Sequence, residues 1–140
     1  MRRLVFDTGI YIDWLNAGRH EDLLFRSGSV KHLSAIVSME LRAGAFSARD
    51  RRLLLDLERA FERVGRILAP APGVYREAGD VLRLLQSRHD YQLASRHSIV
   101  NDVLIALSAR SIGATVVTQN ARDYRAIRSI RSFRLELVSA

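Results

Sequence analysis

The chain has 140 residues, of which 48% are hydrophobic and 26% are charged, and it contains no cysteine. These values predict one ordinary globular domain spanning residues 1–140, and they exclude disulfides and thiolate metal sites. No apolar stretch approaches the roughly 18 residues that span a bilayer, and the short apolar run near Met1 meets Asp7 too soon for a signal peptide. We therefore expect a soluble cytoplasmic protein without a membrane partner.

The charge balance is strongly basic. Twenty-two basic residues outnumber fifteen acidic ones and give a net charge of +7. All of the basic residues except Lys31 are arginines, whose planar donor fork suits phosphate oxygens. This surplus is compatible with a nucleic-acid partner, and a solvated basic surface explains it equally well.

The first half of the chain alternates short apolar runs with helical patterns. Arg3–Phe6 is typical of a buried strand, and Thr8 is predicted to cap a helix that runs to about Asn16 and stops at Gly18. The elements predicted next are a helix at about 21–26, a strand over 31–36, a helix capped by Ser38 that ends near Gly44, and an amphipathic helix from 50 to about 64.

The second half continues the alternation. Its predicted elements are a short strand at 67–68, a helix over about 73–87, a polar loop over 89–96, a helix over about 99–112 capped by Ser98, a strand over 114–118, a helix over 121–127 and an edge strand over 133–138. Strands that alternate with helices predict an α/β fold with a mostly parallel central sheet.

Four carboxylates stand beside these elements. Asp7 directly follows the first strand, and Asp123 comes five residues after the strand that ends at Thr118. Glu40 falls in the first turn of the helix predicted after Ser38, and Asp102 lies on the apolar face of its helix. Since ligands bind beyond the carboxyl ends of parallel strands, we expect these acids to meet at one edge of the sheet. Four like charges together indicate a site for a divalent cation such as Mg²⁺.

Each acid also has a structural explanation. Asp7 could cap the first helix. The negative charges of Glu40 and Asp102 could interact favourably with the helix dipoles at the starts of their helices. Asn120 and Asp123 could form a capped turn. Only the joint placement of the acids therefore indicates function. The four histidines show no zinc-ligand spacing, and no glycine-rich phosphate loop is present.

Four segments in this order resemble a PIN domain, and they are most similar to the VapC toxins of bacterial toxin–antitoxin (VapBC) pairs. The segments are Leu-Val-Phe-Asp7-Thr, Ser38-Met-Glu40-Leu with Gly44, Asn101-Asp102-Val-Leu-Ile-Ala106, and Thr118-Gln-Asn120-Ala-Arg-Asp123-Tyr. The resemblance covers essentially the whole chain. It implies an α/β/α sandwich and a Mg²⁺- or Mn²⁺-dependent endoribonuclease that uses a metal-activated water to cut RNA.

The resemblance also implies roles for particular residues and partners. Asp7, Glu40, Asp102 and Asp123 would form the catalytic, metal-binding quartet, with Thr8, Thr118 and Asn120 as supporting residues. The implied partners are a cognate VapB-like antitoxin, a structured RNA such as tRNA, and a second copy of the chain in a homodimer that forms a hetero-oligomer with the antitoxin.

Two surfaces have open interpretations. Arginines recur at every third position from 122 to 134; Arg122 and Arg125 are predicted to contact RNA phosphates, unless they form only a solvated basic face. The early apolar residues are explained by core packing or, in the family interpretation, by an antitoxin groove. They are Trp14, Leu15, Leu23, Leu24 and Phe25.

Two other functions compete with the ribonuclease. A phosphatase of the haloacid-dehalogenase type also places an Asp after its first strand, but it needs a second Asp where this chain has Gly9. A catalytically silent PIN-type RNA-binding module is the other alternative, and metal-dependent cleavage would exclude it.

Overall fold

The computed structural model describes residues 1–139 as an α/β structure of five strands and seven helices. In chain order the elements are β1 (Arg3–Phe6), α1 (Thr8–Ala17), α2 (Glu21–Phe25), β2 (Val30–Ser34), α3 (Ala35–Ala43), α4 (Ala48–Arg63), β3 (Ile67–Leu68), α5 (Pro72–His89), α6 (Ser98–Ser111), β4 (Thr115–Thr118), α7 (Ala121–Ile130) and β5 (Arg134–Leu137).

The five strands form one sheet in the order β3-β2-β1-β4-β5, and every neighbouring pair is parallel. The chain moves from β1 outward to β2 and β3, then crosses back to β4 and β5. Parallel crossovers are almost always right-handed, so the two directions of travel place helices on both faces of the sheet. The predicted α/β sandwich is confirmed, and the sheet is entirely parallel.

The core is centred on the two middle strands and α6. Val5 and Phe6 of β1 and Val116 and Val117 of β4 have no exposed surface. Every residue of α6 from Asp102 to Ala109 is buried, because α5 and α7 pack against this helix. The carboxylate of Asp102 therefore occurs in a helix with little contact with water.

Three predicted helix caps are wrong. Asp7, which the sequence offered as an alternative, caps α1 in place of Thr8 and accepts a hydrogen bond from the Thr8 amide. Ser34, not Ser38, caps α3 and accepts from the amides of Ile36 and Val37. Ser98 is the first residue of α6, and His97 precedes it without a side-chain cap.

The cap of α3 changes the position of Glu40. The helix begins at Ala35, so the strand predicted over 31–36 ends at Ser34 and Glu40 lies in the second helical turn, not the first. Ile36 and Val37 are buried apolar residues that suit either a strand or the inner face of a helix, and periodicity cannot separate these two cases. Ser38 instead donates to Glu58 of α4.

The remaining boundaries move by a few residues. Helix α4 begins at Ala48, with Ser47 as its cap. Helix α5 runs to His89, so the loop predicted from His89 begins at Asp90, and it contains the buried Tyr91. No helix in the described part of the chain is both long and apolar enough to cross a membrane.

Candidate functional site

The candidate site lies where the strand order reverses. Strands β1 and β4 are neighbours, and their connections leave the sheet in opposite directions, which opens a crevice beyond their carboxyl ends. Asp7 follows β1 and Thr118 ends β4, and the Thr118 hydroxyl donates to Asp7 Oδ2 at 2.8 Å. The side chain of Asp7 is therefore held across the point at which both strands end.

The hydroxyl of Tyr124 joins Asp7 to Asp102. It lies 3.1 Å from Asp7 Oδ1 and 3.5 Å from Asp102 Oδ1, and the Tyr124 side chain is fully buried in α7. Both carboxylates are only 8% exposed. Two buried acids thus lie on either side of one hydroxyl oxygen, although 95 positions separate them in sequence.

Glu40 is held at the same site by two neutral donors. The Thr8 hydroxyl donates to Glu40 Oε1 at 2.7 Å, and the Asn101 amide donates to Glu40 Oε2 at 3.3 Å. Thr8 is the residue after Asp7 and Asn101 is the residue before Asp102. These two hydrogen bonds therefore tie Glu40 to both of the other acids.

Asp123 has different partners. Its Oδ1 accepts hydrogen bonds from the Tyr91 hydroxyl at 2.6 Å and from Arg96 Nη2 at 2.9 Å. Its Oδ2 accepts from the Asn120 side chain at 3.0 Å, and Asn120 also caps α7. Each oxygen of Asp123 thus has a protein donor, and one of these donors is a cation.

The electrostatic environment separates the acids. Burial, followed by the charges of Asp7, Asp123 and Glu40, raises the pKa of Asp102 from its ordinary 3.8 to about 8. Burial also raises the pKa of Asp7, although hydrogen bonds from Thr118, Thr8 and Tyr124 oppose it. In both cases burial without a neighbouring cation disfavours the charged carboxylate, so each acid keeps its proton to a higher pH than an exposed acid does.

Asp123 behaves in the opposite way. Burial acts to raise its pKa, but hydrogen bonds from Tyr91 and Asn120 and the charges of Arg96 and Arg122 outweigh burial and lower it. Of the two arginines predicted to contact RNA, Arg122 is therefore close enough to influence this site. Arg125 is exposed on the same helix.

The sequence did not reveal the roles of four residues of this arrangement. They are Tyr91, Arg96, Tyr124 and Asn101, the last as a hydrogen-bond donor to Glu40. Tyr91 and Arg96 belong to a segment that looked like a polar loop, and their only signal was an aromatic residue within it. Tyr124 follows Asp123 directly and looks like an ordinary core residue of α7. A buried tyrosine hydroxyl needs a partner, and that requirement could have suggested an acid nearby.

The oxygen-rich site fits a hard divalent cation with water in its coordination sphere. Within residues 1–139, no three His, Cys, Asp or Glu side chains are arranged to hold one metal ion together. Mg²⁺, however, is commonly held by one or two carboxylates plus water and substrate phosphate. Asp7 and Asp102 supply such a pair; burial is the main cause that raises the pKa of each, and a bound cation would favour their charged forms. The roles of the four acids as metal ligands stay predictions.

Comparison with protein families agrees with this geometry. Residues 4–129 match the PIN domain family. The chain belongs to the PIN domain family. PIN domains are generally nucleases and typically use divalent metals. No curated protein matches the chain in a sequence search.

Solved structures with the same fold include several VapBC complexes. The chain is similar to one in DNA-bound VapBC from Salmonella typhimurium, with a TM-score of 0.69 and 26% identity over 97% of this chain and 98% of that one. It is also similar to a chain of VapBC2 from Rickettsia felis bound to a promoter DNA fragment. The TM-score is 0.69 and the identity is 22%, over 98% of this chain and 99% of that one. A third is VapBC-5 from Mycobacterium tuberculosis, with a TM-score of 0.63 and 22% identity over 99% and 100%. The resemblance to VapC-type PIN proteins is thereby confirmed.

Proposed function

We propose that residues 1–140 form one PIN domain that acts as a VapC-type toxin, a metal-dependent endoribonuclease that cleaves structured RNA such as tRNA. The observation that carries the proposal is the pair of buried acids, Asp7 and Asp102, on either side of the Tyr124 hydroxyl at the switch point of a PIN fold. An acidic crevice in a chain with a net charge of +7 suits an enzyme that attracts a polyanion and cleaves it.

The residues of the site have different proposed roles: some would hold the metal, and others orient the acids that hold it. Asp7, Glu40 and Asp102 would hold one or two Mg²⁺ or Mn²⁺ ions, and Asp123 would complete the predicted acidic quartet. Bound metal would lower the pKa of a water and stabilise charge on the reacting phosphate oxygens. The chain contributes orientation: Thr118 holds Asp7, and Thr8 holds Glu40. Asn120 holds Asp123 at the start of α7.

A VapB-like antitoxin is the proposed protein partner, because several solved structures similar to this chain are VapBC complexes. An apolar hollow of about 260 Å³ between α2 and α4 is a suitable place for an apolar antitoxin segment. Phe25 and Val64 line it and are more than half exposed, and Trp14 packs against Phe25 edge to face. We also propose that the toxin forms a homodimer and a hetero-oligomer with its antitoxin.

Incubation of the purified protein with total RNA tests the enzymatic part. We expect cleavage in Mg²⁺ or Mn²⁺ and none in excess EDTA. Asp7→Asn should abolish cleavage while leaving the melting temperature near that of the wild type, because the side-chain shape and most of its hydrogen bonds remain. An Asp7→Asn protein that cleaves RNA as well as the wild type would contradict the site assignment.

A catalytically silent RNA-binding PIN module is the second candidate. The pairing of Asp123 with Arg96 favours it, because this acid is then less available to a metal. RNA binding without EDTA-sensitive cleavage would support this alternative. Membership in the PIN family, together with Gly9 at the position where a second Asp is needed, argues against the phosphatase.

A further inference from the structure

Arg96 is fixed in an unusual way at the edge of the acidic site. It lies in the loop between α5 and α6, and Nη2 donates to Asp123 Oδ1 at 2.9 Å. The centre of its guanidinium group is 5.2 Å from the ring centroid of Tyr91. The Tyr91 hydroxyl donates at 2.6 Å to the same oxygen of Asp123. The Asp123 carboxylate and the Tyr91 ring thus both fix the orientation of the Arg96 guanidinium group.

This arrangement leaves part of the guanidinium available. The Arg96 side chain is 35% exposed, whereas that of Asp123 is 10% exposed. Among the described residues, Nη2 is the only nitrogen of Arg96 with a hydrogen-bond acceptor. An arginine has five donors in a rigid fork that matches phosphate oxygens, and fixing the fork in advance reduces the entropy lost on binding.

The position of the fork relative to the acids is equally important. Asp123 directly precedes Tyr124, whose hydroxyl contacts both Asp7 and Asp102, so the Arg96–Asp123 pair borders the Asp7–Asp102 site. A phosphate drawn toward these acids needs positive charge beside them to offset repulsion. Arg96 is the arginine that the structure ties to this edge by a hydrogen bond and a ring contact.

We propose that Arg96 binds a phosphate of the RNA beside the acidic site, and that Asp123 and Tyr91 are positioning residues that hold the Arg96 fork. This proposal rests on the proposed ribonuclease function. It gives Asp123 a task distinct from that of Asp7, Glu40 and Asp102: Asp123 acts on the RNA through Arg96, and the other three acids hold the metal.

Two affinities measured on the same variants test the proposal. Binding of a fluorescein-labelled tRNA transcript is followed by fluorescence anisotropy in EDTA at several salt concentrations, and Mn²⁺ binding is followed by calorimetry. Arg96→Gln should weaken tRNA binding about tenfold and reduce the salt slope by about 0.7 to 0.9, the value for one phosphate contact. Its Mn²⁺ affinity should be unchanged or tighter. Arg128→Gln, at an exposed position further along α7, is the matched control and should change tRNA binding less than twofold.

The same two assays, of tRNA binding and Mn²⁺ binding, distinguish positioning residues from metal ligands. Asp123→Asn and Tyr91→Phe should each weaken tRNA binding about three- to tenfold. Their Mn²⁺ affinity should stay within about threefold of the wild type, whereas Asp102→Asn should lose tenfold or more. Arg96→Lys keeps the charge without the fork, and it should recover the salt slope but only part of the affinity.

Several outcomes would overturn the proposal. If Arg96→Gln keeps the wild-type tRNA affinity and salt slope, the Arg96–Asp123 ion pair has only a structural role. Asp123→Asn with a loss of Mn²⁺ affinity as large as that of Asp102→Asn would make Asp123 a metal ligand. A wild-type protein that binds neither Mn²⁺ nor tRNA would instead refute the proposed function. If Arg96→Gln does not fold, as judged by circular dichroism, the comparison rests on Arg96→Lys and Tyr91→Phe.

Discussion

Replacing Asp102 with asparagine should stabilise the metal-free protein at alkaline pH. Asp102 is buried among other acids, and its one hydrogen-bond partner within residues 1–139, the Tyr124 hydroxyl at 3.5 Å, is shared with Asp7. Burial, followed by the charges of neighbouring acids, raises its pKa from 3.8 to about 8. Asparagine has the same shape without the charge, and its amide can donate to the neighbouring carboxylates.

The direction of the effect follows from proton binding. Between about pH 4 and about pH 8, folded Asp102 retains a proton that the unfolded chain has released. The folded state therefore binds more protons, and the free energy of unfolding falls as pH rises through this window. A pKa raised from 3.8 to about 8 gives a ceiling of about 5 to 6 kcal/mol, at about 1.4 kcal/mol per unit. Rearrangement of water and side chains around the charge reduces this, and we expect about 2 to 3 kcal/mol.

Urea unfolding in EDTA at pH 5 and pH 8 measures the effect. Asp102→Asn should resemble the wild type at pH 5 and exceed its stability by about 2 to 3 kcal/mol at pH 8. Asp56→Asn, at an exposed position of α4, is the control and should track the wild type at both pH values. Titration of His32, whose pKa is lowered by burial, is common to all three proteins and cancels in the comparison. If Asp102→Asn shows no gain at pH 8 relative to pH 5, the assignment of Asp102 as an uncompensated buried acid is refuted.

Three further predictions concern metal, folding and RNA. Mn²⁺ at a concentration of 100 Kd should raise the free energy of unfolding by about 2.7 kcal/mol in a thermal or urea melt; a protein whose stability is indifferent to Mn²⁺ would contradict a metal site. Ser34→Ala should lower the free energy of unfolding by about 1 kcal/mol, because the cap of α3 is lost, whereas Ser38→Ala should leave that cap intact; equal melts for Ser34→Ala and the wild type would argue against the cap. Charge reversal at Arg122 and Arg125 should weaken RNA binding and flatten its salt dependence, and an unchanged salt slope would count against these contacts.

The order of strands and helices was predictable because each element carries its own periodic signal. Strand β1 is a short apolar run followed directly by Asp7, and the boundaries of β1 and β3 agree with prediction. Helix starts were less predictable, since Ser34 and Ser38 are equally good caps in sequence. Packing of Ile36 and Val37 against the core decides between them, and that is a tertiary effect.

The acids of the site were predictable as a group, but their partners were not. A carboxylate after a buried strand is unusual enough to notice, and the parallel sheet brings Asp7 to the carboxyl end of β4. The contacts of Tyr124 and Arg96, in contrast, join residues far apart in the chain. No local pattern specifies such contacts, because they depend on how α6 and α7 pack together.

The partners distinguish the acids by charge. Asp7 and Glu40 receive hydrogen bonds from hydroxyl and amide groups, and Asp102 meets a tyrosine hydroxyl; all of these donors are neutral. Neutral donors orient these acids without supplying positive charge, so a bound cation would favour the charged form of each. Asp123 already has a cation in Arg96. The chain has 22 basic residues. Within residues 1–139, an arginine forms an ion pair with Asp123, but no basic residue forms one with Asp7, Glu40 or Asp102. That selective lack of positive charge is the physical argument for the proposed metal role of Asp7, Glu40 and Asp102.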